Sequence, residues 1–290
     1  MSTIGYYIAL PFLYGISLLP FPLLYLLSDF LFFILFHVIG YRKDVVMTNL
    51  RNSFPEKSEK ELRGIMKRFY GWFCDLTLET LKTLTISPEA VKERVAFPDA
   101  HVFKPFVDRK QSVIIVMGHY GNWELAGARF AVEPGLHQLI VIYHPLQNPD
   151  FEELIVRMRT RMGNRLYSMS ETFKAMVRDR AQLTATAFIA DQTPAPETAY
   201  WTTFLNQDTP VFTGTGKIAN KLGYPVIYLS IRQPRRGRYE MCAEVLVPDP
   251  KNTTEEAINE LHTRRLEADI RNKPDLWLWT HRRWKHKRPA

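Results

Sequence analysis

The first forty residues form an apolar stretch that is almost free of charge. Between residues 4 and 40 there is no lysine or arginine, and Leu, Phe, Ile and Tyr dominate. Pro20 and Pro22 divide the stretch, because proline removes a backbone donor and disfavours helix in the residue before it. The pattern predicts two helical segments, 4–19 and 21–39, the first further weakened by Pro11.

A bilayer core requires about 20 apolar residues in a helix, so the stretch predicts a membrane anchor over residues 1–41. Two arrangements fit the pattern: the second segment spans while the first lies along the interface, or both form a re-entrant hairpin. A cleaved signal peptide is disfavoured, because the N-terminus carries no basic residue and no small-x-small cleavage site follows the stretch.

The remainder, residues 42–290, has the pattern of one α/β domain. Residues 42–84 show helical periodicity interrupted at Ser53-Phe54-Pro55, and Ser58 with Glu61 forms a capping box for the second helix there. Further along, strand-like runs alternate with helical segments: strands at 113–117, 139–143, 183–190, 225–231 and 239–247, helices at 123–132, 149–162, 170–179, 214–222 and 254–270. The alternation predicts a mixed, mostly parallel sheet flanked by helices, with the last strand antiparallel to its predecessor.

Charge refines this picture. The chain of 290 residues carries a formal net charge of +8, and Arg42 and Lys43 directly follow the apolar stretch. Basic residues beside a membrane segment stay on the cytoplasmic side and attract anionic lipid. Nucleic acid is the other common partner of a basic protein, but no nucleic-acid-binding module is recognisable. The two cysteines, Cys74 and Cys242, lack the spacing of a zinc site, so we expect neither a metal nor a disulfide framework.

Candidate chemistry lies in the turn between the strand at 113–117 and the helix at 123–132. His119 is placed where the strand ends, and Glu124 in the first turn of the helix, with Gly118 and Gly121 permitting a tight turn between them. A neutral imidazole oriented by a carboxylate is a general base. The alternative is structural: His119 merely caps the strand, and Glu124 complements the helix dipole. The pair alone does not decide between these interpretations.

Four blocks of sequence resemble one known family. His119-Tyr120-Gly121-Asn122-Trp123-Glu124 resembles the H-x4-D/E block of the lysophospholipid acyltransferase superfamily, in the form typical of the late lipid A acyltransferases, the lauroyl and myristoyl transferases of Gram-negative bacteria. The other three blocks follow in the family's order: Asp191-Gln192 with Phe204, Thr213-Gly214-Thr215 with Ile218-Ala219 and Leu222-Gly223-Tyr224-Pro225-Val226, and Trp277-Leu278-Trp279-Thr280-His281-Arg282-Arg283-Trp284-Lys285. The resemblance covers nearly the whole chain.

This resemblance implies an acyltransferase domain over residues 42–290, at the cytoplasmic face of the inner membrane. A fatty acyl chain would pass from a thioester, with acyl carrier protein as the donor, to a hydroxyl of a lipid A precursor, an anionic glycolipid. His119 would take the proton of that hydroxyl, and Glu124 would orient and charge-stabilise His119. No metal or other cofactor is required.

Further residues are candidates for substrate binding. Arg159 and Arg161 match the family's Arg-x-Arg and could bind phosphate through their guanidinium groups, although most such charge runs are solvated faces. Asp191 and Gln192 follow a predicted strand, where α/β sheets place ligands, so Asp191 could position the acceptor or support the neighbouring catalytic groups. Asn122, inside the H-x4-E block, is the fifth candidate.

Two other functions remain compatible with the sequence. One is acylation of a different amphiphile, such as a lysophospholipid, a phosphatidylinositol mannoside or an aminoacyl lipid. Thr193-Pro194-Ala195-Pro196 after the Asp191-Gln192 block departs from the family's pattern and leaves this acceptor open. The other is a lipid-binding protein that keeps the fold without catalysis.

Overall fold

The structure is a computed structural model that describes residues 3–288; residues 1–2 and 289–290, at the ends of the predicted anchor and catalytic domain, lie outside the described residues. The apolar stretch forms helices α1 (Thr3–Leu18) and α2 (Phe21–Phe32), and α2 continues as a π-helical segment, Phe33–Ile39. The predicted break at the prolines is confirmed, whereas Pro11 lies inside α1 without ending it. Phe21–Ile39 is long and apolar enough to cross a membrane, and only 11% of its most apolar 18-residue stretch is buried inside the protein.

Nine further helices among residues 3–288 surround a central sheet: α3 (Lys43–Ser53), α4 (Glu59–Lys82), α5 (Pro88–Arg94), α6 (Lys104–Asp108), α7 (Trp123–Ala131), α8 (Pro149–Thr160), α9 (Thr172–Arg178), α10 (Gly214–Leu222) and α11 (Glu255–Asn272). The capping box at the start of α4 is confirmed, because the Ser58 hydroxyl accepts from the Glu61 backbone N–H while the Glu61 carboxylate accepts from the Ser58 backbone N–H. The Thr254 hydroxyl caps α11 by accepting the backbone N–H of Ala257.

The described strands are β1 (Val95–Ala96), β2 (Val113–Met117), β3 (Gln138–Tyr143), β4 (Arg165–Ser168), β5 (Thr184–Ile189), β6 (Tyr200–Phe204), β7 (Gln207–Val211), β8 (Val226–Arg235) and β9 (Arg238–Val247). Seven of them form one sheet in the order β1-β9-β8-β2-β5-β3-β4. All its neighbours are parallel except β8 and β9, which are antiparallel as predicted. The expected α/β class, with a mixed, mostly parallel sheet between helices, is confirmed.

The structure contains strands that the hydrophobic pattern does not reveal. β1 has two residues and β4 has four, too few for a periodic signal. β6 and β7 form a separate antiparallel hairpin whose turn holds Leu205 and Asn206 at φ of 49° and 63°. A tight hairpin turn is usually indicated in the sequence by Asn-Gly or Asp-Gly, and neither dipeptide occurs at this turn.

Central strand β2 positions the site. All five of its residues are buried, and it lies between β8 and β5, both parallel to it. In its register with β5, Met117 is opposite Ile189. The two strands therefore end side by side, and the residues that follow them emerge at the same edge of the sheet.

Candidate active site

His119 and Asp191 meet at this edge. Each lies two residues beyond its strand, His119 after Met117 of β2 and Asp191 after Ile189 of β5. His119 Nδ1 is 2.6 Å from Asp191 Oδ1. The other carboxylate oxygen, Oδ2, accepts the backbone N–H of His119 at 2.9 Å and the indole N–H of Trp277 at 2.8 Å. Three hydrogen bonds thus hold the carboxylate and the imidazole in one arrangement.

The charge on Asp191 determines the tautomer of His119. Its side chain is 4% exposed, and this burial by itself raises its pKa. The charge interaction with His119, together with the hydrogen bonds from His119 and Trp277, outweighs burial and lowers the pKa of Asp191 to about 2. An ionised carboxylate only accepts hydrogen bonds, so Nδ1 carries the ring proton. In the neutral imidazole the lone pair then lies on Nε2, which faces the Gln192 amide, and this is the form that a general base requires.

Two close backbone approaches fix the turn that carries His119. Gly121 has a φ of 66°, and a Cβ there would come within 2.7 Å of the Ile231 side chain and 2.8 Å of its carbonyl oxygen. At Gly118 a Cβ would lie 2.7 Å from the Leu266 side chain. Only glycine fits both the space and the left-handed conformation at residue 121. These contacts explain why the turn contains glycines at these positions.

Glu124 has a different partner from the one that the sequence suggested. The structure places its carboxylate against Arg159, with Nη2 at 2.5 Å from Oε1 and Nε at 3.2 Å from both oxygens. Glu124 lies in the first turn of α7, which faces α8, whereas Asp191 arrives on the strand beside His119. The expected orientation of His119 by Glu124 is therefore corrected: Asp191 holds the ring. Glu124 and His119 still line the same cavity.

The two arginines predicted to bind phosphate are both engaged with the protein. Burial lowers the pKa of Arg159, but the charge of Glu124 reverses this effect, and the pKa is raised. Arg161 donates from Nε to the Thr83 carbonyl at 3.1 Å and from Nη2 to the Ile86 carbonyl. Arg161 thus ties the end of α8 to the connection after α4. Of the pair, Arg159 lines the cavity next to His119.

Asn122 and Gln192 occupy contrasting positions. Asn122 is completely buried; its Oδ1 accepts the Leu125 backbone N–H at 2.9 Å, and its Nδ2 donates to Glu79 at 2.8 Å. Its side chain therefore caps α7 from inside the protein. Gln192 lines the cavity, with Nε2 at 3.5 Å from His119 Nε2. Of these two predicted substrate-binding residues, the structure brings Gln192 to the surface where a substrate would lie.

A cavity of about 380 Å³ adjoins His119. Its polar side chains include His119, Glu124, Arg159 and Gln192. The rest of the wall is mainly apolar and comes from the sheet and from the helices beside it, including Ile115, Met117, Ala126, Phe130, Leu139, Met158, Ala187 and Leu229. A mainly apolar cavity with a few polar groups in its wall suits a ligand with a long hydrocarbon part and a reactive group. Within residues 3–288 no cluster of three or more His, Cys, Asp or Glu could hold a metal ion.

Two side chains at the site, those of Trp277 and Trp123, were not singled out from the sequence. Trp277 donates to Asp191 from the C-terminal segment, and Trp123 packs edge-to-face on the His119 ring, with centroids 4.9 Å apart. The sequence contained both tryptophans inside the blocks of the family resemblance. Asp191 lies far from Trp277 along the chain, and the contact of Trp123 with His119 depends on the orientation of the two rings. No local sequence pattern predicts either contact.

Comparison with known proteins assigns the chain to a family. The sequence model of the family of bacterial lipid A biosynthesis acyltransferases matches residues 1–286, almost the full length of the chain. The chain belongs to this family. It is an acyltransferase, and the family links its reaction to a lipid A-type acceptor.

Two relatives illustrate the distance within the family. The lipid A biosynthesis lauroyltransferase of Escherichia coli K12 is 24% identical over 288 residues, covering 92% of this chain and 87% of the relative. The lipid A biosynthesis myristoyltransferase of the same strain is 18% identical over 245 residues, covering 84% and 75%. This lipid A acyltransferase family member therefore shares most of its length with both, at low identity.

Proposed function

We propose that this acyltransferase moves a fatty acyl chain from acyl carrier protein to a hydroxyl of a lipid A precursor, with His119 as the general base and Asp191 as its partner. The observation that carries this proposal is the ionised, buried Asp191 bound to Nδ1 of His119, which puts the lone pair of the neutral imidazole on Nε2 beside an apolar cavity. Family membership supports the class of reaction and of acceptor.

The reaction needs no covalent enzyme intermediate. Nε2 of His119 takes the proton of the acceptor hydroxyl as its oxygen attacks the thioester carbonyl, and a new C–O bond forms. The C–S bond then breaks, and the imidazolium returns the proton to the departing thiolate. Asp191 stabilises the imidazolium while it exists, because the two opposite charges are adjacent and shielded from water.

The cavity provides a place for the acyl chain. Burial of a methylene contributes about 0.8 kcal/mol, so ten methylenes in the apolar part would contribute about 8 kcal/mol to binding. Glu124 and Arg159 form an ion pair in the wall near His119, with side chains 11% and 26% exposed. Arg159 can bind a phosphate or pyrophosphate group of the substrate if its guanidinium divides its hydrogen bonds between Glu124 and the phosphate, or leaves Glu124 for the phosphate. The net charge of +8 favours the approach of an acidic carrier protein and of an anionic acceptor.

The apolar N-terminus attaches the enzyme to the cytoplasmic leaflet of the inner membrane without crossing it. One face of α2 and the π-helical segment packs on α4: Leu24 is fully buried, the Ser28 hydroxyl donates to Asp75 at 2.6 Å, and the ring of Phe36 lies 5.3 Å from that of Tyr70. Large apolar side chains are exposed on α2 and the π-helical segment, namely Leu23, Leu26, Phe30, Phe33, Val38 and Ile39, and on α1, namely Tyr7, Ile8, Phe12 and Leu18. A helix bound along its length to the catalytic domain can immerse one face in lipid while the domain stays outside.

A protease-protection experiment tests this attachment. An epitope tag at the N-terminus is expected to resist protease added to intact spheroplasts and to be digested once the inner membrane is ruptured. If α2 crossed the bilayer, α1 and the tag would be in the periplasm, and intact spheroplasts would lose the tag. An inner-membrane protein whose periplasmic domain is digested in the same intact spheroplasts is the positive control.

The acceptor is tested by mass spectrometry of lipid A from cells with and without the protein. We expect one secondary acyl chain to disappear when the protein is absent and to return with the wild-type protein but not with His119→Ala. The mass difference reports the chain length. Unchanged lipid A together with another lipid lacking an acyl group would move the acceptor to that lipid. Restoration of the chain by His119→Ala would contradict the proposed chemistry.

A further inference from the structure

Glu79 of α4 is a buried carboxylate at the junction of three parts of the protein. Its Oε1 accepts the hydroxyl of Tyr25 from α2 at 2.6 Å. Its Oε2 accepts the hydroxyl of Tyr239 from β9 at 2.6 Å and the side-chain amide of Asn122 at 2.8 Å. Glu79 has no exposed surface, and burial raises its pKa. A fully buried carboxyl group is retained only where its hydrogen-bond partners are fixed in place.

Asn122 connects this carboxyl group to the catalytic turn. Its amide plane is held at both ends: Oδ1 accepts the Leu125 backbone N–H, and Nδ2 donates to Glu79. Asn122 is the residue that caps α7. The first turn of α7 carries Trp123, which packs on the His119 ring, and Glu124, which binds Arg159. The position of Glu79 therefore sets the direction in which α7 begins.

Tyr25 connects the same carboxyl group to the apolar N-terminus. Its hydroxyl lies so close to the β8–β9 turn that a Cβ on Gly237 would collide with it. Arg94 donates to the Gly237 carbonyl at 3.0 Å and lies 3.5 Å from the Tyr25 hydroxyl. The Tyr25 hydroxyl thus lies between α4 and the β8–β9 turn, and its bond to Glu79 depends on α2 lying in its place on α4.

We propose that α2 is a positioning element for catalysis, acting through the chain of hydrogen bonds from Tyr25 to Glu79 to Asn122. Tyr25 and Glu79 are positioning residues: they touch no reacting atom and hold the start of α7 against His119. This inference rests on the proposed function, with His119 as the base. It implies that the helix in contact with lipid and the catalytic turn are coupled, so that displacement of α2 from α4 slows acyl transfer by the attached enzyme.

The test compares two single-atom deletions on α2 in the full-length protein in detergent. Tyr25→Phe removes the bond to Glu79, and Ser28→Ala removes the bond to Asp75, which has the same length of 2.6 Å and joins the same two helices without leading to Asn122. Tyr25→Phe is expected to lower kcat about tenfold with KM within about twofold, because misplacement of a catalytic group slows the chemical step. Ser28→Ala should leave kcat within about twofold, as expected for a change remote from the reacting groups.

A second pair of variants separates hydrogen bonding from charge at Glu79. In Glu79→Gln the amide oxygen can still accept from Tyr239 and Asn122, and the Tyr25 hydroxyl can turn to accept from the amide nitrogen. We expect Glu79→Gln to retain kcat within about threefold and Glu79→Leu to lose at least as much as Tyr25→Phe, since leucine leaves all three donors unpaired. A kcat that is retained in Glu79→Gln and lost in Glu79→Leu indicates a positioning role for Glu79.

Hydrogen exchange gives a readout that does not need activity. Amides at the start of α7, in peptides covering residues 122–131, are expected to exchange faster in Tyr25→Phe than in the wild type and unchanged in Ser28→Ala. Equal exchange and equal kcat in the two variants would overturn the inference. A wild-type protein without acyl transfer would instead refute the proposed function, and the exchange result would still decide whether α2 controls the start of α7.

Discussion

Replacing His119 by alanine is expected to lower kcat for acyl transfer by about 1,000-fold or more, within the range that general-base catalysis contributes. The physical reason is the loss of the imidazole, whose Nε2 lone pair would take the proton of the acceptor hydroxyl. Purified wild-type and variant proteins should be compared with an acyl-carrier-protein thioester and a lipid A precursor, by mass spectrometry of the product over time. Binding of the substrates should change little, so KM is expected to stay within a few-fold.

His144 is the matched control, because it is a second histidine that lines the same cavity. Its Nδ1 lies 2.9 Å from the Pro145 carbonyl oxygen and so has a backbone partner, in contrast to the carboxylate beside His119. His144→Ala should keep kcat within about threefold, the small effect expected of a side chain without a role in proton transfer. If His144→Ala abolished the reaction and His119→Ala did not, the base would have been assigned to the wrong histidine.

Replacing Asp191 by asparagine is expected to lower kcat by about 100-fold to 10,000-fold, because it reverses the tautomer of His119. The oxygen at the Oδ2 position is held by two N–H donors, the backbone of His119 and the indole of Trp277. The asparagine side chain must keep its oxygen there, so its NH₂ group faces Nδ1 of His119. Nδ1 then accepts, the ring proton moves to Nε2, and the general base becomes a donor.

A double variant tests whether His119 and Asp191 act as one unit. Adding Asp191→Asn to His119→Ala is expected to cause no further loss beyond about threefold, because residues that act together show non-additive effects. Thermal unfolding of each variant in detergent controls for loss of folded protein. Near-wild-type kcat in Asp191→Asn would remove Asp191 from the mechanism.

Local patterns accounted for most of the elements. The helix breaks at prolines, the capping box at Ser58 and the strand–helix alternation each depend on residues within a few positions of one another. The short strands β1 and β4 and the β6–β7 hairpin were not predicted, because they are stabilised by neighbours distant in sequence and carry no periodic or turn signal of their own.

The sequence predicted several residues of the candidate site, but not the contacts between them. His119, Glu124, Arg159 and Gln192 lie around one cavity, but the carboxylate that holds His119 is 72 positions away in the sequence. A signal existed, because Asp191 and His119 each lie just beyond the end of a predicted strand. It could not be used without knowing that β2 and β5 are adjacent and in register, which is a property of the whole sheet.

The sequence by itself therefore determined the apolar N-terminus and its division, the α/β alternation, the glycine turn and the blocks that place the chain in its family. These depend on hydrophobic period, backbone preference and residue identity, which are local. Only the tertiary structure decided that Asp191 holds His119, that Glu124 binds Arg159, and that Tyr25 of the apolar helix reaches Asn122 through Glu79. Those pairings depend on strand order and on which helix faces meet, and packing of the entire chain settles both.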